Sequence, residues 1–194
     1  GREVGNSVAK ETEELKLRFV SSVIFVIPLM YISMGHMFGW PLPAFLSGLE
    51  NAVSFAFLQF LLTLPVVFVN RKFYTRGFTA LFKGRPNMDS LIAVGSSSAL
   101  AYGIFTLFRM SHGLGVGDWE LVSRYYHDLY FESCAMILTL ITVGKYLEAV
   151  SKSKTTDAVK RLMDLAPKTA TLERDGKQVQ VPVESVNVGD IVII

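Results

Sequence analysis

The chain has 194 residues, 51% of them hydrophobic and only 19% charged, with a mean hydropathy of +0.38. That balance excludes a disordered chain and an ordinary water-soluble domain, and places most of the protein in a membrane. With 19 basic against 17 acidic residues, a net charge of +2 and no basic block, nucleic acid is excluded as a partner. The single cysteine, Cys134, rules out an internal disulfide framework and any paired-cysteine metal motif.

The N-terminal stretch 1–18 mixes charges of both signs and reads as a cytoplasmic lead-in to the first span. From Phe19 to Phe38 no residue is formally charged, and about 20 such residues make roughly 30 Å of helix, enough to cross a bilayer. Pro28 is a predicted kink. Trp40-Pro41-Leu42-Pro43 reads as an interfacial turn with an aromatic anchor. Asn51 to Asn70 is a second uncharged run, so 19–70 forms a helical hairpin.

Arg71 to Arg85 carries Arg71, Lys72, Arg76, Lys83 and Arg85 and no acid, interleaved with Phe73, Tyr74, Phe78, Leu81 and Phe82. This is the composition of a helix lying in the interface, with Gly77 as a bend. Two uses fit it: a basic anchor that holds orientation, and a docking platform for a soluble partner. A second hairpin, 87–150, is opened by Asn87 as a helix cap and Asp89 in the first turn. Its spans are Ser90 to Phe108 and a helix from Tyr126 to Val150 that contains Asp128, Glu132, Lys145 and Glu148. The five basic residues of the 71–85 connection put it in the cytoplasm by the positive-inside rule. Four spans then bring both ends of the chain to that side. A polar helical extension follows over 151–168, and 169–194 alternates like short strands, with a hairpin turn at Asp175-Gly176. The chain opens at Gly1 without an initiator Met and closes on the apolar Val192-Ile193-Ile194, so a fragment of a longer protein is expected.

Glu132 and Glu148 carry the most chemical weight, because an ionisable residue near bilayer depth costs a few kcal/mol and is a functional hypothesis by default. Separated by about 24 Å of helix, they cannot share one ligand and would serve two stations. The competing reading makes both simple markers of helix ends, with Glu148 paired to Lys145 or Lys152. Met88 opens the third span, where a thioether offers a soft ligand to monovalent copper. Met30, Met34 and Met37 share a helix face beside His36, and read first as apolar filler and second as a ligand stripe. His112 and His127 read as loop residues and Cys134 as packing. Gly95, Ala99 and Gly103 form a small-residue packing stripe. Gly113 to Gly117 lacks the strand a dinucleotide-binding turn requires, and no phosphate-binding loop, nucleophile triad or histidine cluster is visible.

Several motifs together resemble the heavy-metal P-type ATPases, and among them the bacterial copper(I) exporters. They are Tyr31-Ile32-Ser33-Met34-Gly35-His36-Met37, Pro86-Asn87-Met88-Asp89-Ser90-Leu91, Tyr130-Phe131-Glu132-Ser133, Gly144-Lys145-Tyr146-Leu147-Glu148, the stretch from Lys154 through Pro167, and Val188-Gly189-Asp190-Ile191-Val192. The resemblance implies a fold of four transmembrane helices followed by the beginning of a β-rich actuator domain at 169–194. It implies that Met88 and Glu148 receive copper(I) on the cytoplasmic side, that Glu132 lies near the outer exit, and that Arg71, Lys72, Arg76, Gly77 and Lys83 belong to a platform for a copper chaperone or the pump's own metal-binding domain. Here Gly77 is followed by Phe78, where the family often has a second glycine. ATP and Mg²⁺ would serve the complete pump, with its phosphorylation and nucleotide sites beyond Ile194. Silver is a second soft monovalent candidate. Two other readings are a zinc or cobalt exporter of the same superfamily and a non-catalytic membrane scaffold or metal-binding protein.

Overall fold

The structure, a computed structural model, describes residues 2–164, 169–174 and 177–193. Four of its helical stretches are long and apolar enough to cross a membrane: Ala9–Gly35, Leu49–Val69, Met88–Val116 and Trp119–Thr155. A small three-stranded antiparallel sheet follows them. Both features match the fold read from the sequence.

The first helix, α1, runs unbroken from Arg2 to Phe38, so the mixed-charge lead-in and the first span are one rod. It ends where the Trp-Pro-Leu-Pro turn was expected. Tyr31 stacks on Trp40 with ring centroids 5.2 Å apart, and its hydroxyl donates to the Pro41 carbonyl at 2.9 Å. After two short 3-10 turns, α2 spans Ala52–Val69. Its buried face repeats at helical spacing through Phe55, Gln59, Thr63 and Val66, and Asn70 just beyond the helix continues the stripe. Three of these five side chains are polar, and two of them, Thr63 and Asn70, hydrogen-bond to neighbouring helices.

The basic helix α3 covers Arg71–Phe82. It is continuous through Gly77, which corrects the bend expected there. Gly77 serves instead as a point of close approach: a Cβ on it would strike the Asp89 carbonyl and come within 2.9 Å of the Ala93 methyl group. Ser90 Oγ donates to the Gly77 carbonyl at 2.8 Å in the same contact. Helix α4, Met88–Val116, begins as expected with Asn87, whose Oδ1 accepts from Ser90 N–H at 3.0 Å while Asn87 N–H donates to Ser90 Oγ. Its small-residue stripe is only partly engaged. Gly103 lies against the Phe131 ring, whereas a Cβ on Gly95 would meet nothing within 4 Å.

The fourth span departs from the expected single helix beginning at Tyr126. Gly117, at φ 71°, ends α4 in the left-handed region that a residue with a Cβ resists. Asp118 then caps a short helix, α5 (Trp119–Tyr126), accepting from Leu121 N–H at 3.0 Å. The chain breaks at residues 127–130 before α6, Phe131–Asp164. Val122 and Tyr126 of α5 are buried, with Tyr126 against Phe55 of α2 at 4.9 Å, so this short helix packs onto the bundle before the chain enters α6.

Strands β1 (Thr169–Arg174), β2 (Lys177–Pro182) and β3 (Ile191–Ile193) form a sheet in the order β2-β1-β3. Leu172, fully buried, faces Val179 on one side and Val192 on the other. The expected hairpin turn at Asp175-Gly176 and the end of the extension at Leu165-Ala166-Pro167 lie outside the described residues.

Candidate functional site

Two apolar clusters hold the helices together. One gathers Phe55, Met110, Val122, Tyr126 and Phe131, and the other Val26, Leu29, Val66, Phe73, Cys134 and Leu138. Cys134 is fully buried in the second, beside Tyr74 of α3, which agrees with its reading as packing. Met30 and Met34 are half-buried on α1, with Met30 packed against that second cluster, while His36 and Met37 fall among residues whose side chains are not described. His112 and His127 are exposed. Among the described residues, no three His, Cys, Asp or Glu side chains come together.

Glu132 and Glu148 both lie on the unbroken α6. Sixteen residues of helix separate them by about 24 Å and roughly 160° of rotation, so they face different surroundings. Glu132 sits in the first turn of α6, half-buried, with the hydroxyls of Ser33 of α1 and its neighbour Ser133 near its carboxylate. Its Oε2 is buried and makes no hydrogen bond, and the Gln59 carboxamide of α2 is also buried with neither polar atom bonded. Thr63, one turn along α2 from Gln59, donates to the Phe131 carbonyl at 3.3 Å, which ties this part of α2 to the start of α6. Unsatisfied polar groups at such depth carry a penalty of about 1–3 kcal/mol each, and they mark this end of α6 as a polar station inside an apolar bundle.

Glu148 lies at the opposite station, where α6 passes the basic helix. Its carboxylate pairs with Lys152 at 2.6 Å, which decides between the two lysines offered as partners by the sequence. It lines a cavity of about 500 Å³ walled by α1, α3, α4 and α6, together with Arg18, Lys72, Phe73, Asp89 and Lys145. Met88 lies beside this cavity rather than in its lining, exposed at the first position of α4, one residue before Asp89. Of the platform residues, Lys72 is ion-paired with Glu14 of α1, Arg71 lies over the Phe68 ring at 4.8 Å, and Gly77 is sealed against α4. Arg76 and Lys83 both border an open groove of about 590 Å³ on the outer side of α3, and Arg76 lines the cavity as well.

Two features went unread in the sequence. The first is the salt bridge from Lys145 Nζ to Asp89 Oδ1 at 2.7 Å. The second is Asn70, fully buried, whose Nδ2 donates to Ser22 Oγ at 2.8 Å and whose Oδ1 accepts from Thr142 Oγ1 at 2.8 Å and from Arg18 at 3.1 Å. An uncharged run flanked by a polar residue signals only a helix end. The partners of Asn70 lie 48, 52 and 72 positions away, beyond any local pattern.

No family model matches the chain. It is 40% identical to the probable copper-importing P-type ATPase A of Enterococcus hirae over 188 residues, covering 95% of this chain and 23% of that protein. Against a copper-transporting ATPase of Helicobacter pylori the identity is 38% over 191 residues, covering 95% of this chain and 25% of the relative. The copper-exporting P-type ATPase of Staphylococcus aureus is 35% identical over 187 residues, covering 96% of this chain and 21% of its own length. The chain thus spans about a quarter of the length of the curated relatives it matches. Similarity at 35–40% identity sustained over nearly all of its residues, on a fold of four apolar helices and a small sheet, makes the chain homologous to a stretch of about a quarter of each of these proteins, which are named as copper P-type ATPases.

Proposed function

We propose that this chain is the membrane segment and actuator start of an ATP-driven copper(I) export pump, providing the cytoplasmic uptake station and part of the translocation path. Met88 and Glu148 receive the ion, and Glu132 passes it on near the outer face. The observation that carries this reading is α6 itself, a single unbroken helix with a carboxylate at each end of its apolar part, about 24 Å apart. The thioether of Met88 supplies the soft, uncharged donor that monovalent copper prefers, and the Glu148 carboxylate balances its charge. The five basic residues from Arg71 to Arg85 support a cytoplasmic position for α3 and for both ends of the chain. Arg76 and Lys83, on the open side of α3, fit an acidic copper chaperone or a metal-binding domain of the pump. ATP and Mg²⁺ drive the cycle of the complete pump.

The test is copper(I)-stimulated ATPase activity and copper movement in vesicles containing the complete pump. Met88→Ala and Glu148→Ala are each expected to raise the copper concentration for half-maximal activity by about tenfold, the effect of losing one ligand interaction of moderate strength. Unchanged half-saturation in both variants would refute the uptake role. Copper accumulating on the same face as the nucleotide would reverse the proposed direction.

A further inference from the structure

The cytoplasmic mouth holds an ion pair that the uptake chemistry does not use directly. Lys145 stands three residues before Glu148 on α6, and Asp89 directly follows Met88 on α4, so each partner is bound in sequence to one of the two proposed copper ligands. Their 2.7 Å contact is well sheltered, with the Asp89 side chain only 12% exposed and that of Lys145 32%. The same ammonium lies over the ring of Phe73 on α3, 5.1 Å from its centroid. Phe73 is itself buried and also carries the Arg18 guanidinium of α1 at 4.9 Å.

Lys145 had a closer option along its own helix. Glu148 lies one turn away and is positioned for a pair on the α6 surface. Instead Lys145 reaches across to α4, and Glu148 is left to Lys152. The cross-helix choice gives a sheltered bond between two spans at the level where both proposed ligands emerge. On the other side of the contact, Gly77 and Ser90 press α3 onto the first turn of α4. The first turn of α4 is therefore held from two directions, by α3 through its backbone and by α6 through Lys145.

We propose that Lys145 is the positioning residue of the uptake station: by holding Asp89 it sets the separation between Met88 and Glu148, and with it the affinity for a soft monovalent cation. Lys145 and Asp89 do not ligate the ion. This inference rests on the reading of Met88 and Glu148 as uptake ligands. Ligand sets work only when held to within about 0.5 Å, so loosening the α4–α6 distance weakens binding before it affects later steps.

The experiment measures half-saturating copper(I) and maximal ATPase rate in the complete pump for Lys145→Gln, Asp89→Asn, Lys145→Arg and the exchanged pair Asp89→Lys/Lys145→Asp. Each neutralised variant is expected to raise half-saturating copper about tenfold with the maximal rate retained, whereas Lys145→Arg and the exchanged pair return to within about threefold of the parent. If either neutralised variant fails to accumulate, Lys145→Arg and the exchanged pair decide. Parent-like half-saturation in both neutralised variants, alongside a clear rise for Met88→Ala and Glu148→Ala, overturns the positioning role and leaves the uptake reading intact. An exchanged pair no better than the worse single variant, or a loss of maximal rate alone, also overturns it. If the Met88 and Glu148 variants are parent-like too, the uptake reading has failed.

Discussion

The carboxamide of Asn70 and the hydroxyl of Thr142 meet at 2.8 Å, joining the end of α2 to the middle of α6. Ser22 and Arg18 of α1 complete the set around the same side chain, and Asn70 Nδ2 also donates to the Val66 carbonyl. One residue thus uses both ends of its amide to hold three helices where α3 branches off. In an apolar bundle such a hub resists separation of the helices, because each released group would be left without water or partner.

Asn70→Ala removes all of these bonds. Interhelical hydrogen bonds in membranes contribute about 0.6 kcal/mol on average, so losing several at once is expected to lower stability by about 2 kcal/mol. Reversible unfolding in mixed micelles measures it. A loss below about 0.5 kcal/mol would show that the hub is replaced by other partners at little expense.

Two helical glycines, Gly77 of α3 and Gly95 of α4, separate by their surroundings. Gly77→Ala forces α3 away from the Asp89 carbonyl and is expected to destabilise the protein by about 1–3 kcal/mol, the range for overpacking a tight contact. Gly95→Ala meets no atom within 4 Å and adds helix propensity, so its stability stays within about 1 kcal/mol of the parent. Thermal midpoints of the two variants in one detergent check the contrast, and equal effects would contradict it.

The bilayer made the spans legible. A chain that crosses hydrocarbon must write about 20 uncharged, mostly apolar residues in a row, and Phe19–Phe38, Asn51–Asn70 and Ser90–Phe108 each do so. The cap at Asn87 and the strands around Leu172 were readable for similar local reasons. Helix α5 was not, because Trp119–Tyr126 mixes charge and aromatics like a loop and gains its place by packing Val122 against Gly113 and Tyr126 against Phe55. The site divided in the same way. Positions of Met88, Glu132 and Glu148 along the helices followed from spacing, but the choice of Lys152 over Lys145 for Glu148 depended on Asp89, 56 residues from Lys145.

Glu132 and Glu148 are expected to fail differently when altered. Glu132→Gln keeps the shape of the side chain and removes the charge that a departing cation would meet. Because Glu132 is about 24 Å along the helix from Glu148, the proposed uptake ligand, half-saturating copper should change by less than about twofold while the maximal transport rate falls about tenfold. Stopped-flow release of copper from loaded vesicles separates the two steps. A rise in half-saturating copper with the rate retained would place Glu132 in uptake instead.

Lys152 occupies the Glu148 carboxylate at 2.6 Å, and both side chains are more than half exposed. On the proposed uptake role, a copper ion arriving at Glu148 would have to displace this ammonium, and the lysine would act as a competing cation already in place. Lys152→Ala is expected to leave the fold intact, since both side chains of the pair are more than half exposed and exposed pairs contribute little to stability. It should lower half-saturating copper, by about threefold if the pair has the modest strength usual for exposed partners. Added salt should narrow the difference between parent and variant, because screening weakens the Lys152–Glu148 pair, which only the parent has. Titrations at two ionic strengths measure this directly. If half-saturating copper rises in Lys152→Ala, the lysine orients Glu148 for the ion instead of competing with it, and the pair is part of the uptake geometry.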